Sequence, residues 1–360
     1  MEEIRTERLS ELSAPLLSWY AENKKALPWR ADATPYHVWV SEIMLQQTRT
    51  AAVIPYYERF LRELPTVSAL ASVFDERLMK LWEGLGYYSR ARNLKKAAQI
   101  LVDSYDAKLP DTLPALLALP GIGEYTAGAI ASIAFGLPEP AVDGNVLRVV
   151  MRYLGCRADI ASPAVKTQIA AGLRAIYPSG EEAGLFTQAI MELGENLCIP
   201  NGEPRCEHCP LRKQCEAKRR GWTGMLPVKS PKKERRKEER TVVLLSCRGR
   251  YAVRKRPAGG LLAGLWEFPN VLGKLTPDEA AEYVRMLGTD VLSCEPCAEA
   301  VHVFTHVEWH MTGYLAECTS PAENFIWERA QIIRDHYAVP TALRAFMKIM
   351  AQDAGETGEG

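Results

Sequence analysis

The chain has 360 residues, 47% of them hydrophobic and 24% charged, a globular composition with length enough for two or more separate cores. Lysine plus arginine and aspartate plus glutamate both number 44, so the formal net charge is zero and a polyanion would have to be met by local basic surface. No apolar run reaches the roughly 18 residues of a membrane span, and the charged opening MEEIRTERLSEL argues against a secretory signal, so a cytoplasmic protein with no membrane partner is expected.

At the N-terminal end, Leu9, Leu12, Leu16, Leu17, Trp19 and Tyr20 form an apolar stripe that predicts helix, ending at Leu27-Pro28-Trp29-Arg30. Thr34-Pro35-Tyr36 opens another helix carrying Trp39-Val40-Ser41-Glu42. The stretch Leu45-Gln46-Gln47-Thr48-Arg49-Thr50 then leads into a helical run over residues 51–64. Helical runs continue to about residue 215, punctuated by prolines and glycines. No strand is expected before residue 240, and residues 1–222 are predicted to be one all-α domain. Residues 223–240, polar and basic with Pro227 and Pro231, have the composition of a linker.

From residue 241 the hydrophobic period becomes that of strands. Residues 241–246 and 251–255 flank a glycine-containing turn and predict a hairpin. A Gly-rich loop (259–264), the stretch Trp266-Glu267-Phe268-Pro269, a helix over 277–287, strands over 301–304 and 307–316, and a helix over 341–350 complete an α+β domain spanning 241–350. The tail, 351–360, is expected to be disordered.

Two features carry chemistry. The first is Leu119-Pro120-Gly121-Ile122-Gly123-Glu124-Tyr125, a Pro-Gly-x-Gly turn between helical runs, followed by Pro140-Ala141-Val142-Asp143-Gly144-Asn145. Glycines let a ligand approach the main chain, and the N–H groups at the start of the next helix favour a phosphate. An ordinary helical corner fits the same pattern. The second is Cys198, Cys206, Cys209 and Cys215. Four clustered thiols in a reducing compartment point to a metal site, either tetrahedral zinc or a four-iron cluster. Cys294-Glu295-Pro296-Cys297 has no partner ligands and reads as incidental.

With these features the chain resembles the endonuclease III superfamily of DNA glycosylases. Further motifs are similar to the MutY-type adenine DNA glycosylases: Leu27-Pro28-Trp29-Arg30, the stretch 39–48, the stretch from Trp82 through Leu85 and Tyr87 to Asn93, Val142-Asp143-Gly144-Asn145, and Gly264-Leu265-Trp266-Glu267-Phe268-Pro269. The resemblance implies an all-α helix-hairpin-helix glycosylase domain with an iron-sulfur loop, plus a C-terminal Nudix-like α+β domain. It favours a [4Fe-4S] cluster on the four cysteines, although seven residues separate Cys198 from Cys206 where the family commonly has six.

Cleavage of an adenine glycosidic bond needs an acid for the leaving base and a negative charge for the sugar's developing cation. Glu42, among apolar neighbours that would raise its pKa, is the candidate acid. Placed beside Ser41, it would otherwise be a first-turn glutamate favoured by the helix dipole. Asp143 is the second carboxylate, and as a helix N-cap it would stay ionised. The resemblance has Asn145 orient Asp143 or the substrate. Tyr125 stands where the lyase members carry a Schiff-base lysine, which implies base release without designed strand cleavage.

The target base must leave the stack. The resemblance places Gln47 and Tyr87 beside the orphaned partner base, with Thr48 and Leu85 nearby. It lines the adenine pocket with Trp29, Arg30 and Leu45, and sets Gly121 and Gly123 against a backbone phosphate. In the second domain, Phe304-Thr305-His306 matches the family's Phe-Ser-His loop for 8-oxoguanine, with threonine in place of serine. Residues 277–290 lack the glutamate-rich metal-binding pattern of a Nudix hydrolase. A monomer acting on duplex DNA with adenine opposite 8-oxoguanine or guanine is expected, associated with the nucleoid if bacterial. A pyrimidine glycosylase/lyase, a non-catalytic DNA-binding redox protein and a nucleotide hydrolase are the alternatives.

Overall fold

The computed structural model describes residues 6–231 and 234–355. A 3-10 turn at Thr6–Glu11 precedes α1 (Ser13–Asn23), α2 (Pro28–Ala31), α3 (Pro35–Leu45), α4 (Thr50–Glu63), α5 (Val67–Ser72), α6 (Asp75–Leu81) and α7 (Ser89–Ser104). Then come α8 (Leu113–Leu117), α9 (Glu124–Phe135), α10 (Gly144–Leu154), α11 (Pro163–Arg174), α12 (Glu181–Asn196) and α13 (Glu216–Arg220). The strands are β1 (Arg236–Cys247), β2 (Arg250–Lys255), β3 (Trp266–Glu267), β4 (Asn270–Leu272), β5 (Val291–Val303), β6 (Val307–Cys318) and β7 (Ile326–Glu328). Helix α14 (Pro277–Met286) precedes β5, and α15 (Ala330–His336) and α16 (Arg344–Asp353) close the chain. Among the described residues no helix is long and apolar enough to cross a membrane.

Contacts divide the chain into two compact units, Met1–Ser72 with Arg92–Pro231, and Val73–Ala91 with Lys232–Gly360. In the first unit the stripe read from the N-terminal sequence does its expected work. Leu9, Leu12, Leu16 and Tyr20 are buried against Val146, Val150 and Tyr153 of α10, Ile169 of α11 and Ile190 and Leu193 of α12. At roughly 1.5–3 kcal/mol for each fully buried side chain, this cluster is a main source of the unit's cohesion.

The second unit includes residues 73–91, which the sequence pattern counted with the helical domain. The reason is polar: Lys80 donates to the carbonyls of Arg334 and Tyr337, and Glu83 accepts the Val339 N–H at 2.9 Å. The sheet runs β3-β2-β1-β6-β5, with β4 pairing β1 and β7 pairing β2. Strand β1 begins at Arg236, inside the stretch expected to be linker, because residues 236–240 pair in parallel with 307–311 of β6. That long-range pairing leaves no local sequence signal.

The expected hairpin forms between β1 and β2, with Arg248 and Gly249 both at positive φ, as a two-residue type I′ turn requires. Along β1, Val242 and Leu244 join one core while Val243, Leu245 and Cys247 join the other. The first core takes Ile333 of α15 and Phe346 and Met350 of α16, and the second takes Tyr283 and Val284 of α14. Strand β5 is much longer than residues 301–304, its pattern interrupted by irregularities at Val291/Ser293 and Pro296/Ala298. Cys294 and Cys297 pack against opposite cores, so they do not form one ligand pair. Helix α16 runs to Asp353, into the expected tail, and residues 356–360 lie outside the described residues.

Candidate active site

Helix α3 starts where the sequence places it: Thr34 Oγ1 accepts the His37 N–H and Pro35 occupies the first turn. Glu42 therefore lies in the C-terminal half of the helix, not in a first turn. The dipole there disfavours a carboxylate, so the first-turn explanation of Glu42 fails. Helices α8 and α9 form the hairpin. Gly121 (φ +80°) makes its left-handed turn, while Gly123 is extended and open to solvent. A Cβ on Gly128 would lie 2.3 Å from the Pro140 carbonyl, and that close approach seats the 140–143 loop against α9. The loop delivers Asp143, which caps α10 by accepting the Val146 N–H at 2.7 Å.

Glu42, Tyr125, Asp143 and Asn145 line one cavity of about 180 Å³ in the first unit. Its size compares with the roughly 150 Å³ that accommodates benzene in an engineered core. The Tyr125 hydroxyl donates to Glu42 Oε2 at 2.6 Å, and Asn145 Nδ2 donates to Asp143 Oδ2 at 2.8 Å. Burial pushes the Glu42 carboxyl up to about 7; the Tyr125 hydrogen bond opposes this, the Asp143 charge adds to it and the Arg30 charge opposes it. Burial also raises the Asp143 carboxyl, against the hydrogen bonds from Val146 and Asn145. Burial thus works against the charged form of both carboxyls, while Asp143 alone receives hydrogen bonds from a backbone N–H and an amide that favour its charge.

The cavity wall holds Trp29, Arg30 and Leu45, the residues expected of the base pocket, and also Thr48, which was expected beside the partner base instead. Trp29 stacks edge-on against Tyr57 at 5.3 Å, and Arg30 pairs with Glu192 at 2.7 Å. The opposite wall comes from α12 through Gln188, Met191, Glu192 and Glu195, which the sequence pattern did not single out. The same helix also carries Glu181, Glu182, Thr187 and Asn196, so its pattern does not mark these residues out.

Gln47 and Tyr87 share a rarer property. Both are exposed and both have positive φ (60° and 45°), a conformation that non-glycine residues adopt at a cost and that clusters at functional sites. In the second unit, the Tyr87 hydroxyl lies 2.6 Å from Thr305 Oγ1. Thr305 and His306 are exposed in the turn between β5 and β6, while Phe304 packs edge-on against Trp309 at 4.9 Å. Leu85 is buried, and its carbonyl accepts from Arg90 at 2.9 Å.

All four clustered cysteines line a second cavity, which is small and walled by Val149, Leu193, Leu197 and Leu211. Among the described residues no three His, Cys, Asp or Glu side chains close on one point as a single metal ion requires. Burial raises the thiols of Cys206, Cys209 and Cys215, Cys209 to about 12. Arg152 Nη1 donates to Cys198 Sγ at 3.4 Å. Arg148 bridges this loop to the catalytic cavity, donating to the Cys198 carbonyl at 2.7 Å and to Asn145 Oδ1 at 2.7 Å. A continuous hydrogen-bonded chain thus runs from Cys198 through Arg148 and Asn145 to Asp143.

Residues 40–174 match the family model of the HhH-GPD superfamily base excision DNA repair proteins, and residues 240–348 match that of the NUDIX domain. The chain is 36% identical to the adenine DNA glycosylase of Mus musculus, over 81% of this chain and 68% of that one. It is 34% identical to the adenine DNA glycosylase of Homo sapiens, over 93% and 73%. Against that of Buchnera aphidicola (Acyrthosiphon pisum), identity is 32% over 86% and 87%. Among solved structures, a thermostable thymine-DNA glycosylase aligns at TM-score 0.54 with 25% identity, over 61% of this chain and all of that one. A non-covalent endonuclease III–DNA complex aligns at 0.52, also with 25% identity, over 61% of this chain and 99% of that one. With a base excision repair domain and a NUDIX domain in one chain, and adenine DNA glycosylases matching it over most of its length, the chain belongs to the adenine DNA glycosylase family of DNA glycosylases.

Proposed function

We propose that the protein removes adenine by hydrolysis from duplex DNA in which it is mispaired with 8-oxoguanine or guanine, and that it does so as a monomer without designed strand cleavage. The observation that carries this is the Tyr125 phenol donating to Glu42 in the same cavity as Asp143. Tyrosine has no amine to capture the sugar, so the hairpin position that would hold a lyase nucleophile instead supports the acid. The flipped adenine enters between Trp29, Arg30 and Leu45, and Glu42 protonates its ring as the glycosidic bond breaks. Ionised Asp143, fixed by Asn145 and the start of α10, stabilises the positive sugar. Water then completes the exchange, with Glu42 placed to take back a proton.

The exposed N–H end of the hairpin at Gly121 and Gly123 is suited to a DNA phosphate. Gln47, Thr48 and Tyr87 are suited to the vacated partner base. Phe304, Thr305 and His306 would read the 8-oxoguanine edge.

Cys198, Cys206, Cys209 and Cys215 would hold a [4Fe-4S] cluster. The fit is chemical: all four cysteines line one small apolar cavity, and thiolates are the ligands such a cluster takes. Bound there, a cluster would tie the four cysteines together and so stiffen the loop that Arg148 connects to Asn145.

Single-turnover incubation with duplexes carrying adenine opposite 8-oxoguanine, guanine or thymine tests the reading. Release of adenine from the first two without a borohydride-trappable enzyme–DNA adduct is expected; no release from the first would refute it.

A further inference from the structure

One buried carboxylate in the cavity wall has no part in the chemistry above. Glu192 on α12 is 2% exposed. Its Oε2 meets Arg30 Nη1 at 2.7 Å, and its Oε1 accepts the Lys25 N–H at 3.1 Å and Asn196 Nδ2 at 3.4 Å. Among the described residues Arg30 is anchored besides only by the Lys25 carbonyl at 2.9 Å and by the Tyr20 ring beneath its guanidinium at 5.4 Å. Its buried Nε has no hydrogen-bond partner among the described residues. Arg30 thus brings a positive charge to the cavity that holds Glu42, and Glu192 is the acid paired with it. A buried charge stripped of its counter-ion is costly and acts on whatever ionisable group is nearest.

We propose that Glu192 is a positioning residue of the base pocket: its carboxylate fixes Arg30 on the cavity wall and balances the guanidinium, whose charge would otherwise bear on Glu42. The inference rests on the excision chemistry proposed above. Around Glu42 stand Tyr125 from α9, Asp143 from the start of α10 and Arg30 from α2, with Arg49, Glu192 and Glu195 also along the cavity lining. Of these, Arg30 is the cation that draws the Glu42 carboxyl down, and its effect is the one Glu192 controls. Excision needs protonated Glu42, so the rate falls as pH rises through that group's titration. Removing the charge of Glu192 leaves the cation unbalanced, favours ionised Glu42, and brings the fall to lower pH.

The test is the pH profile of single-turnover adenine release from an adenine:8-oxoguanine duplex between pH 5.5 and 9. Glu192→Gln should move the alkaline limb down by about one unit, the lower range for an opposite charge acting at close quarters. It should therefore lose about tenfold at pH 8 and little at pH 5.5. In Glu192→Gln/Arg30→Met the cation is gone and the limb should return upward, whatever the overall rate. Glu192→Asp, which keeps the charge and guards against a misfolded glutamine variant, should hold the limb near its wild-type pH. A uniform loss at every pH in Glu192→Gln, a limb in Glu192→Asp shifted by a full unit, or a limb still lowered in the double variant would overturn the proposal. If the wild-type protein itself releases no adenine, it is the proposed activity that fails.

Discussion

Each unit buries a glutamate, and the two are used in opposite ways. Glu42 in the first unit and Glu267 in the second are 5% and 4% exposed. Glu267 is met by Arg254 at 3.0 Å, by Arg256, and by the Asn270 amide at 2.8 Å, so its charge is fully matched within the sheet. Glu42 receives one phenol and faces a second carboxylate across a cavity. The same residue type at the same burial is a structural tie when cations surround it and is suited to donating a proton, the role proposed for Glu42, when they do not. The glutamates of α14 make the point again from outside: Glu279 caps its own helix and Glu282 pairs with Arg285, both exposed. A Nudix-type fold is present, and among the described residues no cluster of carboxylates able to hold a metal ion is found in it.

The contrast is broken most directly by Glu42→Gln. Loss of the acid should reduce adenine release by roughly 10²–10⁴-fold in single-turnover assays, with DNA binding retained. Asp143→Asn keeps a good helix cap but not the charge, and should cost about 10²–10³-fold. A rate within twofold of wild type would remove Asp143 from its assigned role. The matching change in the second unit, Glu267→Gln, should leave excision chemistry intact yet destabilise the protein by about 3 kcal/mol in denaturant titration, since it strands two guanidiniums. If it instead abolished excision in folded protein, the division of labour drawn here would be wrong.

A stability measurement sharpens the same comparison. The Glu42 carboxyl is raised to about 7 from its ordinary value of 4.5, so its neutral form suits the fold. Its contribution is complete below about 4.5 and is lost as pH rises through 7. Glu42→Gln should therefore melt higher than wild type at pH 8 and alike at pH 4.5, an activity–stability trade. Equal melting at both would mean that Glu42 is not held protonated. The smallest expected effect is at Thr305. Thr305→Ala deletes the contact with Tyr87 and should lower discrimination of 8-oxoguanine over guanine by about tenfold or less, the scale of one hydrogen bond. Unchanged ratios would remove Thr305 from lesion reading.

Much of the site was legible in the sequence because each piece is fixed locally. Thr34-Pro35 dictates where α3 begins, Asp143 announces itself as a cap, and the Pro-Gly-x-Gly turn can only be a tight corner. The dipole explanation of Glu42 failed because it assumed a helix start at Ser41 rather than six residues earlier. Glu192 and Glu195 were invisible for another reason: an acid on a helix declares nothing until the partner it faces is known.

By itself, then, the sequence determined the helices and their caps, the hairpin turn, the change to strand periodicity near residue 240 and the residue types available for chemistry. These depend on neighbours a few positions apart, which the chain order already supplies. Tertiary structure alone decided the rest. It placed Val73–Ala91 with the second unit, paired β1 in parallel with β6, and put the Arg30–Glu192 ion pair in the wall of the Glu42 cavity. It also matched Glu267 with cations and, among the described residues, gave Glu42 a phenol rather than an ion-pair partner. Charge state and reactivity follow from burial and from what stands within a few ångströms, and those distances exist only once the chain has folded.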